Sequence, residues 1–128
     1  MKKRYCLFLG CMLSLLSSCQ KEPINGKLDG MWQLMKIEYK DKPSVVPDQL
    51  YYCIQLHMVQ LWGVNYCNGS GTFAHSGDSV HIVIRQRKIS DVAVYGMNDT
   101  IQHFAIEQLS SQKMVLQSSY ASLSFRKF

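Results

Sequence analysis

Tyr51-Tyr52-Cys53-Ile54-Gln55-Leu56-His57-Met58-Val59-Gln60-Leu61-Trp62 is the stretch that decides the fold class. Tyr52, Ile54, Leu56, Met58 and Trp62 share one parity, and Cys53, Gln55 and His57 share the other. A strand turns successive side chains to opposite faces, whereas a helix repeats about every 3.6 residues. The stretch therefore reads as one strand with a bulky apolar face turned inward. The same alternation recurs on either side. Val80, Ile82 and Ile84 stand against His81, Val83 and Arg85. Residues 28–39, 72–75, 91–95, 101–109, 113–117 and 120–127 form further short apolar–polar runs. Asp41-Lys42-Pro43-Ser44, Asn68-Gly69, Ser76-Gly77-Asp78 and Gly96-Met97-Asn98-Asp99 break them with residues that favour turns. About eight short strands at regular spacing predict an antiparallel meander closed as a barrel or folded as a sandwich. Beyond Leu16 no segment carries a helical stripe. Residues 47–50 offer at most one turn of helix, and Gly69-Ser70-Gly71 reads as a turn.

The chain has 128 residues, enough for one domain. Its hydrophobic share of 47% excludes a disordered polymer, and no apolar run reaches the about 18 residues that mark a spanning helix. The net charge of +5 is concentrated at the start, in Lys2, Lys3 and Arg4. Without residues 1–18 there remain eleven Lys and Arg against nine Asp and Glu, a net of +2. That balance gives no reason to expect a nucleic-acid partner.

Lys2-Lys3-Arg4 is followed by an apolar run from Tyr5 to Leu16, then by Leu16-Ser17-Ser18-Cys19. A positive start, a short apolar run and small residues before a cysteine have the layout of an export signal. The last four residues resemble a bacterial lipobox, which implies cleavage ahead of Cys19 and acylation of its thiol. Residues 1–18 are then the signal peptide, 19–27 a polar tether broken by Pro23 and Gly26, and 28–128 the folded domain. Several acyl chains on one residue anchor firmly where a single chain does not. The expected location is the bacterial cell envelope, lipid-anchored in the outer membrane on its periplasmic or surface face.

Leu28-Asp29-Gly30-Met31-Trp32-Gln33-Leu34 opens the domain with a G-x-W pair. It resembles the opening of lipocalin barrels, in which the glycine permits close backbone approach and the indole plugs one end. That resemblance implies a basic residue of the last strand over the indole, and Arg126 is the candidate, through a cation–π contact. Together with the lipobox, the aromatic-rich stretch 51–62, the turn His75-Ser76-Gly77-Asp78-Ser79 and the aromatic end at Phe128, the chain resembles the small lipocalin-like lipoproteins of Bacteroidetes. The resemblance implies an all-β, antiparallel, up-and-down eight-stranded barrel. Gly30, Trp32 and Arg126 are then the closing residues.

Catalytic signatures are not found. The chain has no G-x-S-x-G elbow, Walker loop or H-E-x-x-H, so an enzyme is not expected and no cofactor is implied. His57, His75, His81 and His103 stand too far apart to form a metal motif in sequence, and no metal is expected. Cys53 and Cys67, the thiols that remain after processing, pair or stay free according to whether their strands meet. Arg85-Gln86-Arg87-Lys88 is a basic run that meets either solvent or an anion.

The inward parities collect Trp32, Tyr52, Trp62, Phe73, Phe104 and Phe125 with aliphatic partners. Eight strands enclose either a side-chain core or room for one small ligand. The expected function is a membrane-anchored module binding a small hydrophobic or amphipathic ligand in the barrel, lined by Tyr52, Leu56 and Trp62. The alternative is a filled barrel whose loops bind a protein or glycan.

Overall fold

The computed structural model describes residues 25–128. The signal, Cys19 and most of the tether lie outside the described residues. Eight strands follow in order: β1 (Gly30–Tyr39), β2 (Tyr51–Gln55), β3 (Met58–Trp62), β4 (Cys67–Ser76), β5 (Ser79–Ile84), β6 (Ile101–Leu109), β7 (Lys113–Gln117) and β8 (Ala121–Lys127). Each pairs antiparallel with its neighbour in sequence, and β1 pairs with β8 to close an up-and-down barrel. A 3-10 turn, Gly26–Leu28, precedes β1, and a short helix α1 (Ile89–Ala93) interrupts the β5–β6 connection.

The expected architecture is present, and two strand assignments change within it. The stretch 51–62 is a hairpin instead of one strand. Gln55 pairs with Met58, leaving Leu56 and His57 as a two-residue turn. Leu56 has φ 55°, in the left-handed region that a leucine rarely enters. The Asn25 amide donates to the Leu56 carbonyl at 2.7 Å and to the Asp29 carboxylate at 2.6 Å, pinning the turn to the start of the domain. Reversal at the turn inverts the parity, so Val59 and Leu61 are buried in β3 while Met58 is exposed. The second change is at residues 91–95, expected as a strand, all of which belong to α1 and the turn after it. One strand gained and one lost leave the total at eight.

Gly69-Ser70-Gly71 also departs from expectation, lying inside β4 instead of forming a turn. Gly69 faces the interior, and a Cβ on it would press the Ile84 side chain at 3.3 Å. A Cβ on Gly71 would run into the Val83 backbone carbonyl. Glycine inside a strand marks such close approach, and here it lets β5 lie tightly against β4. The chain turns instead at residues 63–66, where the Gly63 amide donates to the Tyr66 carbonyl at 3.0 Å.

A bulge between Leu34 and Lys36 shifts the parity of β1. Leu34 and Ile37 are therefore both buried although three residues apart, and Met35 is turned out. The interior is filled by Trp32, Leu34, Tyr52, Phe73, Phe104 and Phe125 with Ile, Leu, Val and Met from β1, β2, β3, β5, β7 and β8.

Candidate binding site

At the end where β1 begins, Trp32 is fully buried and its Nε1 donates to the Leu28 carbonyl at 2.9 Å. The 3-10 turn is thus fastened under the indole. The cation above the ring is Lys127, with Nζ 4.3 Å from the ring, and not Arg126 as the resemblance implied. Residues 126 and 127 point to opposite faces of β8. Arg126 is exposed on the outer one, where its guanidinium donates to Gln33 Oε1 at 2.8 Å. Lys127 Nζ also donates to the Asp29 carbonyl. Burial pulls the Lys127 pKa down, and the Asp29 carboxylate works against that shift. Gly30 has φ +132°, and a Cβ there would meet the Lys127 ammonium end at 2.7 Å. The backbone angle therefore requires glycine, and a side chain there would also push the Lys127 ammonium off its place.

Of the three residues expected to line a cavity, only Tyr52 faces the interior, and there it belongs to the packing. It is fully buried, stacks edge-to-face on Phe125 with centroids 4.9 Å apart, and donates its hydroxyl to the Tyr95 carbonyl at 2.6 Å. Leu56 is half exposed at the hairpin turn and borders a shallow outer depression with Cys53, Gln55, Met58 and Gln60. Trp62 is half-buried on the outer face, its Nε1 donating to Gln60 Oε1 at 3.0 Å. The expectation for Leu56 and Trp62 failed because the alternating pattern ran unbroken through a turn that contains no glycine, proline or asparagine.

The opposite end is stoppered by the β5–β6 connection. Val92, Tyr95 and Met97 from α1 and the turn after it are buried among the strands. Gly96, at φ +83°, gives the chain its bend, and any Cβ would strike the Leu123 side chain. The Tyr95 hydroxyl is a buried polar atom without a hydrogen-bond partner. Burial pushes its pKa up to about 12, a rise that the Asn68 side chain moderates without completing a bond. Burial likewise holds the Tyr52 phenol well above its ordinary range.

Beside this stopper lies a groove of about 390 Å³. Its apolar floor comes from Val45, Pro47 and Leu50 of the β1–β2 loop and Ala93 and Val94 of α1. Tyr39 and Tyr120 stand at its edge, edge-to-face at 5.2 Å, with Lys42 Nζ 4.3 Å from the first ring and 5.3 Å from the second. Sequence reading missed this site because its residues come from three connections and no single alternating run. The signal available was the pair of prolines in 43–47 beside an apolar Val45-Val46.

Cys53 and Cys67 are free thiols on strands separated by β3. Among the described residues no group of three or more His, Cys, Asp or Glu converges, and no helix is long and apolar enough to cross a membrane.

A closed eight-stranded antiparallel barrel, entered by G-x-W with a basic residue of the last strand over the indole, defines the lipocalin-like class. The chain belongs to the lipocalin-like domain family, whose pattern it matches over residues 14–128. Its fold is similar to that of a lipocalin-like protein from Bacteroides uniformis, with 23% identity and a TM-score of 0.66 over 80% of this chain and 100% of that one. It is also similar to an uncharacterized protein from Bacteroides eggerthii, at 20% identity and a TM-score of 0.67 over 78% of this chain and 98% of that one. No curated protein matches the chain.

Proposed function

We propose that this protein is a lipid-anchored binding module, without catalysis, that holds a small amphipathic molecule at the barrel mouth and not deep within it. The carrying observation is the conjunction of a filled interior with the groove of about 390 Å³ beside α1. That volume falls in the range of about 300–1,000 Å³ typical of small-molecule sites, which pair apolar walls with a few orienting polar groups. Val45, Leu50 and Val94 would take the apolar body. Lys42, held between two tyrosine rings, would meet an acidic group. Acylated Cys19 would supply the anchor in the cell envelope, joined to the far end of the barrel by the tether.

A dansyl-labelled fatty acid tests the groove. Saturable fluorescence enhancement is expected, weakened several-fold by Lys42→Glu and by Val94→Asp in proteins that keep their fold. Absence of enhancement with folded protein overturns the reading. One observation then favours the alternative of an interaction module. Val46, Val64, Tyr66 and Ile89, all at least half exposed, come from three of the four connections at the mouth end and present apolar area to a macromolecular partner.

A further inference from the structure

His81 on β5 and His103 on β6 are 22 positions apart in sequence and directly opposite in register. The flanking backbone bonds, Ile84 to Thr100 and Ile106 to Asp78, assign the hydrogen-bonded positions of this ladder to the even residues of β5. His81 and His103 therefore form a non-hydrogen-bonded pair, the type that brings side chains closest. Both rings stand on the outer face. Their centroids are 4.2 Å apart, their planes are inclined by 49°, and the two Nδ1 atoms lie 3.1 Å from each other.

We propose that His81 and His103 are a two-imidazole site for a borderline divalent transition metal such as Cu²⁺ or Zn²⁺. Metal–imidazole bonds are about 2.0–2.1 Å long, so nitrogens 3.1 Å apart subtend about 100° at a shared ion. That angle lies between the about 90° of a square-planar site and the about 109° of a tetrahedral one. The χ2 torsion of histidine has a broad well, and His103 is exposed, so a small ring rotation points both lone pairs at one position. In the metal-free protein one Nδ1–H donates to the other Nδ1.

The surroundings admit a cation. The outer-face neighbours in register are Ala74, Ser79, Val83, Ile101 and Ala105, none of them charged. Three of the five are small and leave the remaining coordination positions open to water or to a ligand from a second molecule. The preference for nitrogen donors excludes Ca²⁺ and Mg²⁺, which take oxygen. Affinity for first-row ions at such a site peaks at Cu²⁺.

The test is a titration of the untagged full chain, its thiols alkylated, with CuCl₂, followed by calorimetry and electron paramagnetic resonance. One tightly bound equivalent is expected, with hyperfine coupling to two nitrogens. His81→Gln and His103→Gln should each weaken binding at least tenfold, with the double variant little worse than either. His57→Gln and His75→Gln should leave it unchanged. Circular dichroism checks that these surface variants keep the fold. Affinity indifferent to both substitutions, or no stronger in the parent than in the double variant, overturns the proposal.

Discussion

Lys127 and Trp32, on the last and first strands, meet as cation and ring at 4.3 Å, and the same ammonium donates to the Asp29 carbonyl ahead of the indole. The contact welds the barrel seam at the end where β1 begins. Trp32→Ala should cost about 3–5 kcal/mol, as large buried aromatics do, a large share of the about 5–15 kcal/mol that holds a domain of this kind together. Lys127→Met, which keeps the aliphatic stem, should cost about 1–2 kcal/mol through the lost cation–π contact and hydrogen bond. Arg126→Ala should stay within about 0.5 kcal/mol, as exposed positions do. Urea denaturation of the three variants checks the order, and equal losses at 126 and 127 would refute the assignment.

Tyr52 and Tyr95 should respond oppositely to loss of a hydroxyl. Tyr52→Phe leaves the Tyr95 carbonyl without its donor and should destabilise by about 1–2 kcal/mol. Tyr95→Phe removes a buried hydroxyl that has no partner and should leave stability unchanged or raise it by about 1 kcal/mol. Thermal melts of the two variants read this directly.

The same phenols set the alkaline limit. Above pH 10 the unfolded chain releases the Tyr95 proton, whereas the native state keeps it up to about 12. The native state then binds more protons, so stability falls as pH rises through that window. Tyr52, raised by burial, acts in the same direction. The urea midpoint should hold level from neutrality towards pH 10 and drop beyond it, with a shallower drop in Tyr95→Phe.

Leu56 carries positive φ with a half-exposed side chain. Non-glycine residues in that region are strained, and asparagine tolerates it best. Leu56→Asn should therefore stabilise by up to about 1 kcal/mol, where a core leucine would lose several. A destabilised Leu56→Asn would restore leucine to the packing.

Acylation at Cys19 is expected from the lipobox alone. Cells fed labelled palmitate should label the parent protein and not Cys19→Ala. An unlabelled parent in the soluble periplasm would remove the anchor from the proposal.

Strand class was legible because period two survives unbroken in β5, β7 and β8. Val80, Ile82, Ile84, Met114, Leu116, Leu123 and Phe125 all lie inside as their parity predicts. The inward faces of β2 and β3 were only half legible. The turn at Leu56 and His57 relies on strain and an Asn25 hydrogen bond, and local composition records neither. The G-x-W glycine was read correctly as a place of close approach, while the approaching residue was misplaced by one position, enough to invert its face. The mouth groove and the His81–His103 pair depend on which connections and strands meet in space, a matter of register that no single stretch encodes.

The pairing of β1 with β8 has a kinetic consequence. Gln33 and Arg126, 93 positions apart, belong to the ladder that completes the wall. Closing so long a loop carries an entropic cost that neighbouring hairpins escape, and proteins dominated by distant contacts fold slowly. A growing chain can assemble β2 through β7 hairpin by hairpin, but its first strand stays an unpaired edge on one side until the final residues emerge. Every deletion that removes β8 should therefore yield an open sheet with two exposed edges, prone to pairing with other copies, however much of the remaining sequence is intact.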